Sequence, residues 1–239
     1  MTKVRKIAFE EHFTAVGFGD YSKAFVQHLD PGFAAELTRA VRELGFKGSL
    51  VNGHTNGVYY DDPAYDAFWE QMQELDVPLY LHPFDAYVLP HAYKGHPELA
   101  GATWGWGVET GTHALRLLFG GVFDRFPKLK IILGHMGEGL PFQRWRFDSR
   151  FAAYPYGVKL QRAPSEYIGS NILITTSGVC SHPTLVGAIA EMGAEAVMFS
   201  IDYPYESTAL AVEFIESAPL DAATRDLVCY GNAARLFKL

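Results

Sequence analysis

Short apolar runs alternate with amphipathic stretches along most of this chain. Residues 6–9, 49–52, 78–81, 131–133, 172–175 and 197–200 are brief and rich in Val, Ile, Leu and Phe. That pattern predicts six buried strands. Between them, 33–44 puts Leu37, Ala40, Val41 and Leu44 on one helical face, and 65–75 does the same with Phe68, Met72 and Leu75. Residues 112–118, 185–192 and 208–215 complete the helical series. Strands separated by helices at this spacing predict a parallel α/β sheet. The end of the chain, 231–237, reads as a short helix with Asn232 as its N-cap. A closed (β/α)8 barrel needs eight strands, and the shortfall is local, between the first strand and Ser49.

The polar residues fall at informative places. The first strand runs into Glu10-Glu11-His12, the third into His82, the fourth through Gly134 into His135, and the sixth through Ile201 into Asp202. In a parallel barrel all strand C-termini share one face, and that face carries the chemistry. Glu10 and His12 are two apart on a strand and point the same way, with Glu11 opposed. A lone strand-end His is more often structural, and Asp202 alone would serve equally well as a helix cap. Coincidence at four strand ends is harder to dismiss. Glu138 lies three residues beyond His135, near enough to touch it and fix its tautomer. Arg146 follows two helical turns later and faces either an anionic substrate or solvent. Gly134, Gly137 and Gly139 match no phosphate-loop spacing and are read as tight-turn residues. His28, His54, His91, His96, His113 and His182 are read as surface or structural, with His54 notable for following a strand.

Composition narrows the classes without changing this picture. The 239 residues suit one domain over 1–239, and 49% hydrophobic with 20% charged is ordinary for a globular protein. A net charge of −7 with no basic run argues against nucleic acid, and no apolar stretch has the length of a membrane span. The basic start meets Glu10 and Glu11 before any apolar run, unlike a signal peptide. Cys180 and Cys229 are too few for a disulfide framework, so a cytoplasmic location is expected. A small-molecule substrate remains.

At these motifs the chain resembles the amidohydrolase family 2 proteins, the group of aminocarboxymuconate-semialdehyde decarboxylase. Within it the likeness is strongest to γ-resorcylate and 2,3-dihydroxybenzoate decarboxylases. KIAFEEHF at 6–13, DVPLYLHP at 76–83, IILGHMGEGLPF at 131–142, ITTSG at 174–178, FSIDYPYE at 199–206 and GNAARLFKL at 231–239 carry it. The resemblance implies a TIM-type (β/α)8 barrel of the metal-dependent hydrolase superfamily, here with two strands missing. His28-Leu29 runs directly into Asp30-Pro31, where the family has further barrel segments. Either the chain is a shortened form of a longer one, or the barrel is incomplete; exposed sheet edges make the second costly.

By resemblance, Glu10, His12, His82 and Asp202 hold one divalent metal, and His135 with Glu138 forms an acid–base pair beside it. The oxygen-rich ligand set suits Mn2+ as well as Zn2+. Arg146 and Phe13 are expected to meet the substrate, a small aromatic carboxylic acid, with Phe84, Trp104, Trp106, Trp145 and Tyr203 also placed near the strand ends. A homo-oligomer, dimer or tetramer, is expected. The implied reaction is non-oxidative decarboxylation of a hydroxybenzoate, with Asp202 or the His135–Glu138 pair protonating the ring carbon. Hydrolysis of a lactone, amide or ester is the alternative enzyme reading. A degenerate barrel that only binds a small acid is the non-catalytic one.

Overall fold

The computed structural model describes residues 4–8 and 31–239. These fall into two compact units, one within Phe13–Leu129 and the other within Met1–His12 and Lys130–Leu239.

In the first unit the order is α1 (Pro31–Arg42), β1 (Ser49–Asn52), α2 (Asp66–Leu75), β2 (Leu79–His82), α3 (Gly105–Phe119) and α4 (Val122–Arg125). β1 and β2 are parallel, in register from Ser49 opposite Leu79 to Asn52 opposite His82. The anchor is Trp69 on α2, fully buried with Met72, whose indole N–H donates to the Tyr60 carbonyl at 2.8 Å. A buried indole that finds an acceptor keeps its full apolar contribution. α1 stops two residues short of the predicted end because Gly45, at φ 76°, caps it: Phe46 N–H donates back to the Ala40 carbonyl. Leu44 is therefore exposed instead of joining Leu37 on the buried face. β2 is buried as predicted, but β1 alternates, and Leu50 is 46% exposed. Among the described residues β1 pairs on one side only.

α3 carries a fully buried His113. Its Nε2 accepts the Tyr60 backbone N–H at 3.1 Å, and the Tyr59 ring stands edge-on to both His113 and the buried His54. Burial, then the charge of Arg116 and the proximity of His54, push the His113 pKa from 6.5 down to about 3. The unfolded chain takes up this proton near 6.5, whereas the folded chain excludes it until about 3. Stability from this group is thus complete above pH 6.5 and is lost as pH falls toward 3. At pH 5.5 the loss is about 1.4 kcal/mol. Urea unfolding at pH 7.5 and 5.5 should show His113→Gln with a flatter pH dependence than the native chain by about that amount. An unchanged slope would show that His113 does not titrate this way.

The second unit holds β3 (Ile131–Leu133), α5 (Arg144–Ala153), α6 (Pro164–Tyr167), β4 (Ile172–Thr175), α7 (His182–Met192), β5 (Val197–Met198), α8 (Thr208–Ser217), α9 (Ala222–Asp226) and α10 (Asn232–Phe237). β3 pairs with β4 and β4 with β5, all parallel. Val197, Ile174, Leu185, Phe199, Phe214 and Val228 form the core, with Val4 and Ala8 packed against it.

Three sequence expectations change here. Among the described residues, 6–8 form no strand, although Ile7 N–H donates to the Cys229 carbonyl at 2.9 Å. β5 is half its predicted length because Phe199 N–H turns to the Val228 carbonyl and Ser200 N–H to the Thr176 hydroxyl. Asn232 lies inside α10 and is not its N-cap. Its amide donates to the Ala194 and Val197 carbonyls at 2.7 and 2.8 Å, fastening the helix to β5.

Candidate active site

The second unit brings together three of the singled-out residues. β3 is wholly buried, and Gly134 leaves it in an extended conformation. Then His135, Met136, Gly137, Glu138 and Gly139 all take positive φ, between 48° and 78°. This is one turn of left-handed backbone. L-residues avoid it at about 1–2 kcal/mol each. Burial of Met136 and Leu140 offsets part of that cost, and Gly137 lies so near β4 that a Cβ there would stand 2.6 Å from Ile174 Cγ2. The spacing predicted contact between His135 and Glu138; the contact forms, within a left-handed turn.

Within this turn His135 Nδ1 lies 2.7 Å from Glu138 Oε1, and the Glu138 side chain is only 6% exposed. An ionised carboxylate only accepts, so the Nδ1 proton is held by Glu138 and Nε2 is the nitrogen that faces outward. Nε2 stands 3.5 Å from Asp202 Oδ2, with the imidazole 24% and Asp202 15% exposed. Asp202 itself sits at φ 79°. It does not cap the following helix, because Ser207 does so through Leu210 N–H.

The segments behind these residues are clamped. Thr176 Oγ1 donates to the Ser200 carbonyl at 2.9 Å and accepts Ser200 N–H at 3.0 Å; Gly178 N–H donates to the Ile201 carbonyl at 3.2 Å. Sequence reading assigned no role to Thr176, Ser200 or Gly178. Their only signal was membership of the ITTSG stretch, for Thr176 and Gly178, and of the FSIDYPYE stretch, for Ser200.

Among the other expected residues, His82 ends β2 in the first unit, its Nδ1 2.9 Å from the Pro83 carbonyl. A carbonyl can only accept, so Nδ1 carries the proton and the lone pair is on Nε2, the tautomer of a metal-ligating imidazole. Glu10, His12 and Phe13 lie outside the described residues. No group of three His, Cys, Asp or Glu side chains gathers for a metal among the described residues. Arg146 is exposed on α5. Phe84, Trp104, Trp145 and Tyr203 are all exposed, so none is a core residue. Burial raises both cysteine thiols, Cys229 to about 11, which suits inert side chains.

The profile of the amidohydrolase family matches residues 20–239. The chain belongs to this family. It is 46% identical over 222 residues to a gamma-resorcylate decarboxylase of Polaromonas, covering 88% of this chain and 68% of that protein. The crystal structure of 2,6-dihydroxybenzoate decarboxylase from Rhizobium superposes with a TM-score of 0.81 at 44% identity, covering 86% of this chain and 66% of that one. A Polaromonas dihydroxybenzoic acid decarboxylase, crystallised with manganese and 2-nitroresorcinol, gives 0.81 at 46% identity, covering 86% and 65%. This amidohydrolase chain thus spans about two thirds of the length of its relatives. Its fold class is the (β/α) barrel of the superfamily, with five parallel strands among the described residues. No helix among them is long and apolar enough to cross a membrane.

Proposed function

We propose that this amidohydrolase catalyses the metal-dependent, non-oxidative decarboxylation of a hydroxybenzoate-type acid, with residues 1–239 acting as one domain. The carrying observation is an imidazole oriented by one carboxylate, Glu138, and facing a second, Asp202, across 3.5 Å. Decarboxylases of small aromatic acids among its relatives support the substrate class.

The aryl–carboxylate bond breaks badly on its own because it would leave an aryl carbanion. Protonation of the ring carbon that bears the carboxylate avoids this. A neighbouring ring hydroxyl stabilises the dearomatised ring, and carbon dioxide then departs, leaving its bonding pair to restore the aromatic system. Asp202 or His135 delivers the proton, and their proximity lets each replenish the other. Glu138 keeps the His135 ring in one tautomer and one orientation. Arg146 and Phe13 are assigned to the substrate, as cation and apolar wall.

Glu10, His12, His82 and Asp202 are assigned to one divalent ion. The donor chemistry fits: His82 has its lone pair on Nε2, and Asp202 is a largely buried carboxylate four residues beyond β5. When bound, the ion would polarise and orient the substrate carboxylate and hydroxyl. Manganese in the Polaromonas relative supports Mn2+ ahead of Zn2+. Exposed aromatic side chains such as Trp145 and Tyr205 support a dimer or tetramer, and two free cysteines support a cytoplasmic setting.

The test is product analysis with manganese-loaded protein and a panel of mono- and dihydroxybenzoates. Carbon dioxide release matched by the decarboxylated phenol is expected. Cleavage of lactones or esters without carbon dioxide would replace this reading by a hydrolase, and no turnover of either class would remove it.

A further inference from the structure

We propose that Gly178 is a positioning residue for the reaction: its bare Cα sets the spacing between His135 and Asp202. This rests on the reading of those two residues as the proton-handling pair.

Gly178 is the third residue after β4, and its N–H is tied to the carbonyl of Ile201, the residue before Asp202. Its Cα is therefore fixed against the strand-end segment that carries the carboxylate. A Cβ at this position would lie 3.0 Å from His135 Cδ2, 3.2 Å from Asp202 Oδ2 and 3.7 Å from His135 Nε2. These atoms are the facing edges of the two groups that stand 3.5 Å apart. A methyl group would wedge against both.

Backbone conformation alone does not explain the glycine. Gly178 has φ 66°, yet His135, Met136, Glu138, Tyr156 and Asp202 hold similar left-handed φ with side chains attached. What distinguishes Gly178 is the space its side chain would need. Contacts of 3.0–3.2 Å are below ordinary van der Waals separation, so the imidazole, the carboxylate or both must shift by some tenths of an ångström. A 1 Å misplacement in a reacting constellation costs on the order of 10²-fold, so a shift of this smaller size should cost about tenfold.

Gly157 provides the control. It too is left-handed, at φ 82°, but a Cβ there meets nothing within 4 Å. Gly157→Ala therefore introduces the backbone strain without the wedge. Gly178→Ala is expected to lower kcat about tenfold with KM and manganese content held, and Gly157→Ala to leave all three unchanged. In a His135→Ala background, Gly178→Ala should slow turnover little further, because the pair it spaces is already gone. A second readout needs no turnover. In 15N-histidine NMR of the resting protein, the His135 ring resonances should move in Gly178→Ala and stay in place in Gly157→Ala. Equal rates in the two glycine variants, full additivity with His135→Ala, or unmoved His135 resonances would each overturn the proposal. If the native protein releases no carbon dioxide, the decarboxylase reading fails, and the resonance shift still decides whether Gly178 spaces the pair.

Discussion

His135→Ala is expected to lower the decarboxylation rate by about 10²–10⁴-fold, the usual worth of a positioned acid–base group, while bound metal stays at the native level. Glu138 fixes Nδ1, so the outward Nε2 is the atom that exchanges a proton. Alanine leaves no titratable group in its place. Glu138 loses its partner at the same time, but its carboxylate is not one of the assigned ligands, so metal retention separates this variant from a ligand loss. Glu138→Gln should act in the same direction and less strongly, since an amide oxygen can still accept from Nδ1. The measurement pairs initial rates with metal content by mass spectrometry on the same preparation. A rate above about a tenth of native would fall short of an acid–base effect and cancel the role given to His135. Loss of the ion as well would make His135 a ligand and point to a hydrolase-like centre.

Asp202→Asn should abolish turnover for a different reason. Asparagine keeps the shape but removes the charge that attracts a divalent cation and the acidic proton available to the ring. Both the rate and the metal content should fall, the rate by at least the 10²–10⁴-fold of an acid–base group. Excess Mn2+ should restore metal content before it restores rate, because occupancy can be forced by concentration and the lost proton cannot. A variant that regains native turnover on metal addition would show that Asp202 only ligates. One that never loses metal would place the ligand set elsewhere.

Much of this was legible in the sequence because burial leaves a period. β1, β3 and β4 begin and end where the apolar runs do, and α2, α7 and α8 follow the helical stripes. The convergence of His135, Glu138 and Asp202 was legible too, since strand ends in a parallel sheet share one side. What periodicity cannot carry is hand. A spacing of three brings His135 to Glu138 in a turn of either sense, and only the fold shows the left-handed one, with Gly137 lying close on Ile174. Long-range hydrogen bonds were equally invisible. Thr176 reads as a strand-end Thr, and only the fold shows it holding Ser200 from both sides. Asn232 carried a helix-cap signal, but two carbonyls more than thirty residues away in sequence claimed its amide. Composition could not show that His113 is buried, because its environment is made by Tyr59, Tyr60 and Arg116 together.

The left-handed turn also limits where this His–Glu arrangement can be used. A peptide of residues 135–139 would relax to right-handed or extended backbone, and its imidazole and carboxylate would part. Transplanting the pair into another scaffold therefore means moving β3, the β4 face under Gly137, and Pro141 with it. Designers who copy only the two side chains should obtain the residues without the contact.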